Sequence, residues 1–173
     1  SRGGGLSGIS TGLIDLDAKM GGLNRSDLII LAGRPSMGKT SLATNIAFNV
    51  AKVHKTGPLP DGSVGTVSGG VVGFFSLEMS AEQLAARILS EAAEVPSEAI
   101  RRGDMTEEEF RRFVNAAHDL SNCPLYIDDT PALPINQLAA RARKLKRTMG
   151  LDLLIVDYLQ LLRAASAKDS RVN

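Results

Sequence analysis

The chain has 173 residues, 43% of them hydrophobic and 17 of them glycine, enough apolar material for one domain with a sizeable core and not for two. Twenty basic against 19 acidic side chains leave a formal net charge of +1, so charge alone makes no case for nucleic acid or a membrane surface as a partner. A single cysteine, Cys123, excludes an internal disulfide, and no apolar run approaches the about 18 residues that cross a bilayer; both fit a cytoplasmic protein without a membrane partner.

Residues 1–8, SRGGGLSG, read as a flexible linker remnant, and residues 9–173 as one domain. Ser10 or Thr11 is placed to cap a short helix over residues 13–20, where Leu13, Leu16 and Met20 keep helical spacing before Gly21 and Gly22. The apolar run at 28–32 then empties into G-x-x-x-x-G-K-[ST], met in full by Gly33, Gly38, Lys39 and Thr40. Gly33 lets the chain leave a strand and curl back, because glycine takes positive φ without a Cβ clash. Arg34, Pro35, Ser36 and Met37 fill the loop, and Gly38 leaves room for a phosphate against the backbone. Free N–H groups from Met37 to Ser41 and the positive end of a helix dipole point at the same place, an anion site. Lys39 is expected on the β- and γ-phosphates of ATP, and the Thr40 hydroxyl on Mg²⁺.

Beyond the loop, Leu42, Ile46, Val50 and Val53 recur at helical spacing beside Ala43, Ala47 and Ala51, which predicts a helix packed closely on a sheet and ending near His54. Residues 55–70, with five glycines and two prolines, predict a loop or loose β-hairpin, a solvated insertion without chemistry. The unalternating VVGFFS at 71–76 predicts a strand buried on both faces of a parallel sheet. Ser80 with Gln83, and Thr106 with Glu109, are capping pairs that open helices to about Glu94 and Leu120, separated by Pro96. Residues 125–128 predict a short strand ending in Asp128 and Asp129. Ile135, Leu138, Ala142, Leu145 and Met149 then step by three and four to a stop at Gly150. Arg141, Arg143, Lys144, Lys146 and Arg147 on that helix read as a solvated face.

LLIVD at 153–157 predicts a strand that delivers Asp157 at its carboxyl end, where open α/β sheets bind ligands. In a chain with a complete phosphate loop, a carboxylate there is the expected holder of Mg²⁺. Hydrolysis also needs a group to orient and deprotonate water, and Tyr158 occupies the place directly after Asp157. The candidates are Glu78, after VVGFFSL, and the Asp128 and Asp129 pair. Glu78 is preferred, because glutamate reaches further and has no structural task between a strand and a helix cap. Gln160 is placed to sense the γ-phosphate or relay its loss.

ISTGLIDLD, GRPSMGKT, VVGFFSLEMS and LLIVDYLQLL, in this order, resemble the motor domain of bacterial replicative DNA helicases of the DnaB type, within the RecA-like ATPases. The likeness runs from about Gly8 to Leu162 and implies an α/β, RecA-like P-loop NTPase fold, a mostly parallel sheet with helices on both faces. Residue by residue it implies Lys39 and Thr40 on phosphates and Mg²⁺, Glu78 as the catalytic glutamate, and Asp157 with Gln160 as the Walker B segment. It further implies a homo-hexamer around single-stranded DNA with ATP bound between subunits, and contacts to primase and a helicase loader outside this chain. It places the DNA-holding loops, the arginine finger and a sensor strand beyond residue 173, that strand lying between the phosphate-loop strand and the Walker B strand. Two other readings stay open: a RecA-like ATPase of recombination or signalling, and a nucleotide-binding loader or regulator that does not hydrolyse.

Overall fold

The structure, a computed structural model, describes residues 27–31 and 37–157; the side chains of 27–31, Met37 and Lys39 lie outside that description. So do the linker at 1–8, the helix expected at 13–20, the loop residues Gly33, Arg34, Pro35 and Ser36, and Gln160. In chain order come β1 (Asp27–Leu31), α1 (Met37–Lys52), β2 (Lys55–Pro58), β3 (Val64–Ser68), β4 (Val72–Ser76), α2 (Ala81–Ala93), α3 (Ser97–Arg102), α4 (Glu107–Asn122), β5 (Leu125–Asp128), α5 (Ile135–Met149) and β6 (Leu153–Asp157).

Four strands make one parallel sheet in the order β1-β6-β4-β5. β4 and β6 are interior strands, so side chains on both of their faces are buried, which is why they read as unbroken apolar runs. On one face Val72, Phe74, Leu153 and Ile155 meet Ala43, Ile46, Ala47, Val50 and Ala51 of α1 and Leu84 of α2. On the other, Phe75 and Val156 meet Leu138 and Ala142 of α5. The period of two sends alternate residues to opposite helices, and each large side chain so buried contributes about 1.5–3 kcal/mol. Gly73 lies where α5 comes close: a Cβ there would stand 3.0 Å from the Leu145 side chain.

The buried stripe of α1 differs from the expected one. Leu42 and Val53 are 41% and 42% exposed, whereas Ala43, Ala47 and Ala51 are at most 2% exposed. The alanines let the helix approach the strands, while Ile46 and Val50 of the expected stripe are buried as well, at 6% and 0% exposed. Both capping boxes form as expected, Ser80 with Gln83 and Thr106 with Glu109. Pro96 does more than separate two helices: it begins the short α3, whose Ala99 and Ile100 pack with Ala93, Val95 and Ala116 in a third apolar cluster.

The strand that the resemblance places between the phosphate-loop strand and the Walker B strand is expected beyond residue 173 and so lies outside the described residues. β1 and β6 are direct neighbours, with Ile29 opposite Ile155 and Leu31 opposite Asp157. Direct pairing supplies the backbone partners that both strands require.

Residues 55–70 form the hairpin of the two expected alternatives and are largely exposed, as expected of a solvated insertion, but the hairpin is fastened to the domain. β2 and β3 form an antiparallel hairpin whose turn is held by Asp61, which accepts from the backbone N–H and hydroxyl of Ser63. The hairpin is also tied to the amino ends of β4 and β6. The Thr66 hydroxyl donates to Asp152 at 3.0 Å, and the same carboxylate oxygen accepts the Val71 N–H at 2.8 Å. His54 Nε2 lies 3.2 Å from the Thr66 oxygen, whose own proton goes to Asp152. Gly69, at φ +58°, closes this arrangement so tightly that a Cβ would overlap the Val50 carbonyl oxygen. Gly69→Ala is therefore expected to cost about 2 kcal/mol or more in denaturant unfolding, from left-handed strain plus the clash. Gly62→Ala, at φ +88° in open space, should cost only the strain.

Asp128 ties α5 to the edge strand β5. Arg141 donates to its carboxylate at 2.9 Å and to the Thr130 hydroxyl at 2.7 Å, while the Thr130 N–H also donates to Asp128. Burial pushes the Asp128 carboxyl up, but the bonds from Arg141 and Thr130 and the guanidinium charge outweigh it and hold the group below its ordinary value. A lowered folded value means stabilisation present above the unfolded carboxylate's pKa and lost as pH falls through the folded one. In Arg141→Met, Asp128 should titrate higher by carbon-detected NMR, and the difference in Tm from the parent should shrink as pH falls through the carboxylate range.

Candidate active site

The parallel register brings Leu31, Asp157 and Ser76 into one row at the carboxyl ends of β1, β6 and β4. α1 starts six residues after β1, so its first turn stands over this row. The Thr40 hydroxyl, on that turn and 8% exposed, donates to Asp157 Oδ2 at 3.3 Å across 117 residues of sequence. Thr40 and Asp157, assigned to the same ion from separate motifs, are thus adjacent. One residue type offers a neutral oxygen and the other an anionic one, the hard donors that Mg²⁺ takes.

The start of α1 also has the space that the motif requires. Gly38 is exposed, and a Cβ built on it would meet nothing within 4 Å. That open side, next to unpaired N–H groups at a helix start, fits an anionic phosphate chain. Ser41 is half-buried; its carbonyl and that of Thr40 accept from the Thr44 hydroxyl at 3.0 and 2.9 Å. Thr44 is 1% exposed, and these bonds back to the first turn satisfy a hydroxyl that the apolar cluster around it could not. Of the remaining sequence candidates, Gly33, Arg34, Pro35, Ser36 and Gln160 and the side chains of Met37 and Lys39 lie outside the described residues.

The three carboxylates considered as general base have separate surroundings. Asp128 is engaged by Arg141 and Thr130, and Asp129 accepts the Ala81 N–H at the start of α2 at 2.8 Å. Glu78 is exposed in the turn after β4 and has no hydrogen-bond or ion-pair partner among the described residues. Its turn begins beside Asp157: the Leu77 N–H donates to the Asp157 carbonyl at 3.3 Å. A side chain free to meet a water, one strand from the Thr40–Asp157 pair, is the arrangement a general base needs.

The arginines and lysines of α5, namely Arg141, Arg143, Lys144, Lys146 and Arg147, are outside the two apolar clusters on the sheet, and Arg141 alone of them has a described ion-pair partner. Two hydroxyls in this region were not singled out from sequence. Thr44 gives no sequence signal apart from a polar residue within an apolar helix stripe. Ser76 does give one: it ends a doubly buried strand in a hydroxyl, is 1% exposed, and donates to the Met79 carbonyl at 2.7 Å.

A profile of the DnaB-like helicase C terminal domain matches residues 8–173. Replicative DNA helicase DnaB of Rickettsia prowazekii (strain Madrid E) is 49% identical over 166 residues, which is 96% of this chain and 33% of that protein. Replicative DNA helicase DnaC of Bacillus subtilis (strain 168) is 41% identical over 172 residues, 99% of this chain and 35% of that protein. A solved ATPase domain superposes with a TM-score of 0.72 at 28% identity, covering 92% of this chain and 52% of that one. A DnaB-like replicative helicase, solved in a study of its interactions with primase, gives 0.69 at 27% identity over 93% of this chain and 37% of that one. The chain thus spans about a third of the length of these curated relatives. With Thr40 at the start of α1 beside Asp157 at the end of β6, and a profile match over residues 8–173, it belongs to the DnaB-like helicase C-terminal domain family.

Proposed function

We propose that this chain is the ATP-hydrolysing motor domain of a replicative DNA helicase that translocates on single-stranded DNA and unwinds duplex at the fork. The observation that supports this most is the Thr40–Asp157 contact, which joins the two halves of a nucleotide site beside an unengaged Glu78. The loop N–H groups of residues 33–41 and the Lys39 ammonium hold the phosphates of ATP, and Thr40 and Asp157 hold Mg²⁺. Held by Thr40 and Asp157, Mg²⁺ would supply positive charge against the charge that develops on the phosphates. Glu78 orients a water in line with the γ-phosphorus and takes its proton as the oxygen–phosphorus bond forms and the bond to ADP breaks. Gln160 follows the γ-phosphate and relays its loss.

In the same reading the domain works as a homo-hexamer around single-stranded DNA in the cytoplasm, and meets primase and a loader through other regions of the protein. The solved relative described with primase supports that partner, and no described helix is long and apolar enough to cross a membrane. Against the non-hydrolysing alternative stands the availability of Glu78, while both nearby aspartates are engaged.

In the full-length protein, Glu78→Gln is expected to keep ATP binding while lowering hydrolysis by about 10²- to 10⁴-fold, because the amide keeps shape and loses the base. Phosphate release with and without single-stranded DNA measures it. Turnover near the parent's in Glu78→Gln, with loss in Asp128→Asn, would place the base at Asp128 instead. Lys39→Ala should weaken nucleotide binding itself by about tenfold or more, since a charge-assisted phosphate contact is lost. Equilibrium titration with a fluorescent nucleotide reads this, and unchanged affinity would remove Lys39 from the phosphate site.

A further inference from the structure

The turn that carries Glu78, residues 77–80, is fastened on every side except at Glu78 itself. Leu77 is 3% exposed and packs with Phe75, Leu133, Leu138 and Val156 on the α5 face of the sheet. Met79 packs against the cluster on the α1 face. The turn therefore straddles the end of β4, with an anchored side chain on each face and the glutamate at the rim between them. Two side chains outside the turn fix its backbone. Ser76 donates to the Met79 carbonyl at 2.7 Å, drawing the far side of the turn back onto the strand end. Asp129, from the end of the neighbouring strand β5, accepts the Ala81 N–H at 2.8 Å where the turn passes into α2.

The Ser80–Gln83 box does not reach the Ala81 N–H, an orphan donor of the first turn of α2 that Asp129 satisfies. The N-cap of α2 is Ser80, in a complete box with Gln83, and Asp129 adds a bond from another strand. Packing does not explain Ser76, since a serine 1% exposed at the end of an apolar strand needs a partner and finds it in the turn. The side chain of Ser76 shares a face with Phe74, and its register partner is Asp157. The glutamate turn is thus fixed to the same strand ends that hold the Thr40–Asp157 pair.

We propose that Ser76 and Asp129 are positioning residues for Glu78, a two-sided clamp that sets where its carboxylate stands relative to Asp157. This rests on Glu78 being the general base. Misplacing a general base by a fraction of a side chain's reach lowers the rate without altering ground-state nucleotide contacts, and a displacement of about 1 Å can cost about 10²-fold.

The test uses the full-length protein and steady-state ATP hydrolysis in the presence of single-stranded DNA. Asp129→Ala is expected to lower kcat by about 10- to 100-fold with KM and nucleotide affinity within about twofold of the parent. Asp129→Asn should recover most of that loss, because an amide oxygen accepts the same N–H. Ser76→Ala should reproduce the kcat defect through the other arm of the clamp. In the Glu78→Gln background, Asp129→Ala should add nothing, as expected of residues that act as a unit. Unchanged kcat in Asp129→Ala and Ser76→Ala, with hydrolysis still lost in Glu78→Gln, overturns the clamp and leaves the assignment of the base standing. Failure of Asp129→Asn to recover activity, or a further loss in the Glu78→Gln background, also overturns it, because the carboxylate then acts directly. If Glu78→Gln itself turns over normally, the base assignment falls and the clamp with it. Asp129 is exposed, so its variants are expected to melt close to the parent, and a kcat loss accompanied by a matching fall in the folded fraction counts against the proposal.

Discussion

The site depends on β6 lying between β1 and β4 in parallel register, because that position puts Asp157 opposite Leu31 on one side and Ser76 on the other. A shift of one residue would send the Asp157 side chain to the α5 face and bring Val156 toward the phosphate-loop helix. The register is strongly held. Leu153 and Ile155 are at most 1% exposed against α1, and Val156 is equally buried against α5, so a slip would misplace every one of them. The burial of the apolar residues of LLIVD on two faces therefore sets the direction of the carboxylate that follows them.

Three acidic side chains at neighbouring strand ends have different fates through their surroundings. Asp128 is paired with Arg141 one helix away, and Asp129 gives its charge to a backbone N–H at the start of α2. Glu78, between an anchored leucine and an anchored methionine, is left with a fixed backbone and a free carboxylate. Rigid support beneath a functional group is the usual requirement for a general base, since the cost of ordering it is met before substrate arrives. The hairpin of β2 and β3 lies at the other end of the sheet, bound through Thr66, Asp152 and His54 to the amino ends of β4 and β6. An insertion there leaves the nucleotide end of the sheet unaltered while still being part of the packed structure.

Much of this was legible in the chain. Both capping boxes, the helix stop at Gly150 and the strand ending at Asp157 depend on residues within a few positions of one another, and local backbone chemistry decides them. The roles of Thr40, Asp157 and Glu78 were assigned from the same kind of local pattern joined to a family resemblance. Other features were settled by partners far away in sequence. α1 turned Ala43, Ile46, Ala47, Val50 and Ala51 to the sheet and Leu42 outward, because which arc of the helix is covered is set by the strands it meets and not by the helix alone. Among the described residues β1 pairs with β6, so that Leu31 and Asp157, 126 positions apart, share one row. The glycine-rich insertion became an ordered hairpin because Asp152, far along the chain, accepts from Thr66 and Val71.

The sequence by itself thus determined which residues are candidates to hold phosphate, metal and water, since that candidacy resides in the residue types and their immediate spacing. The tertiary structure alone decided which of them meet. Thr40 and Asp157 are 117 residues apart and come within 3.3 Å only through the strand order and two-faced packing of the sheet. The same holds for Ser76 and Asp129, whose hydroxyl and carboxylate look ordinary in a linear chain and gain their meaning from the turn that they fasten. Contacts of this kind are set by the burial of apolar side chains distributed over the whole domain, so no short stretch contains the information that specifies them.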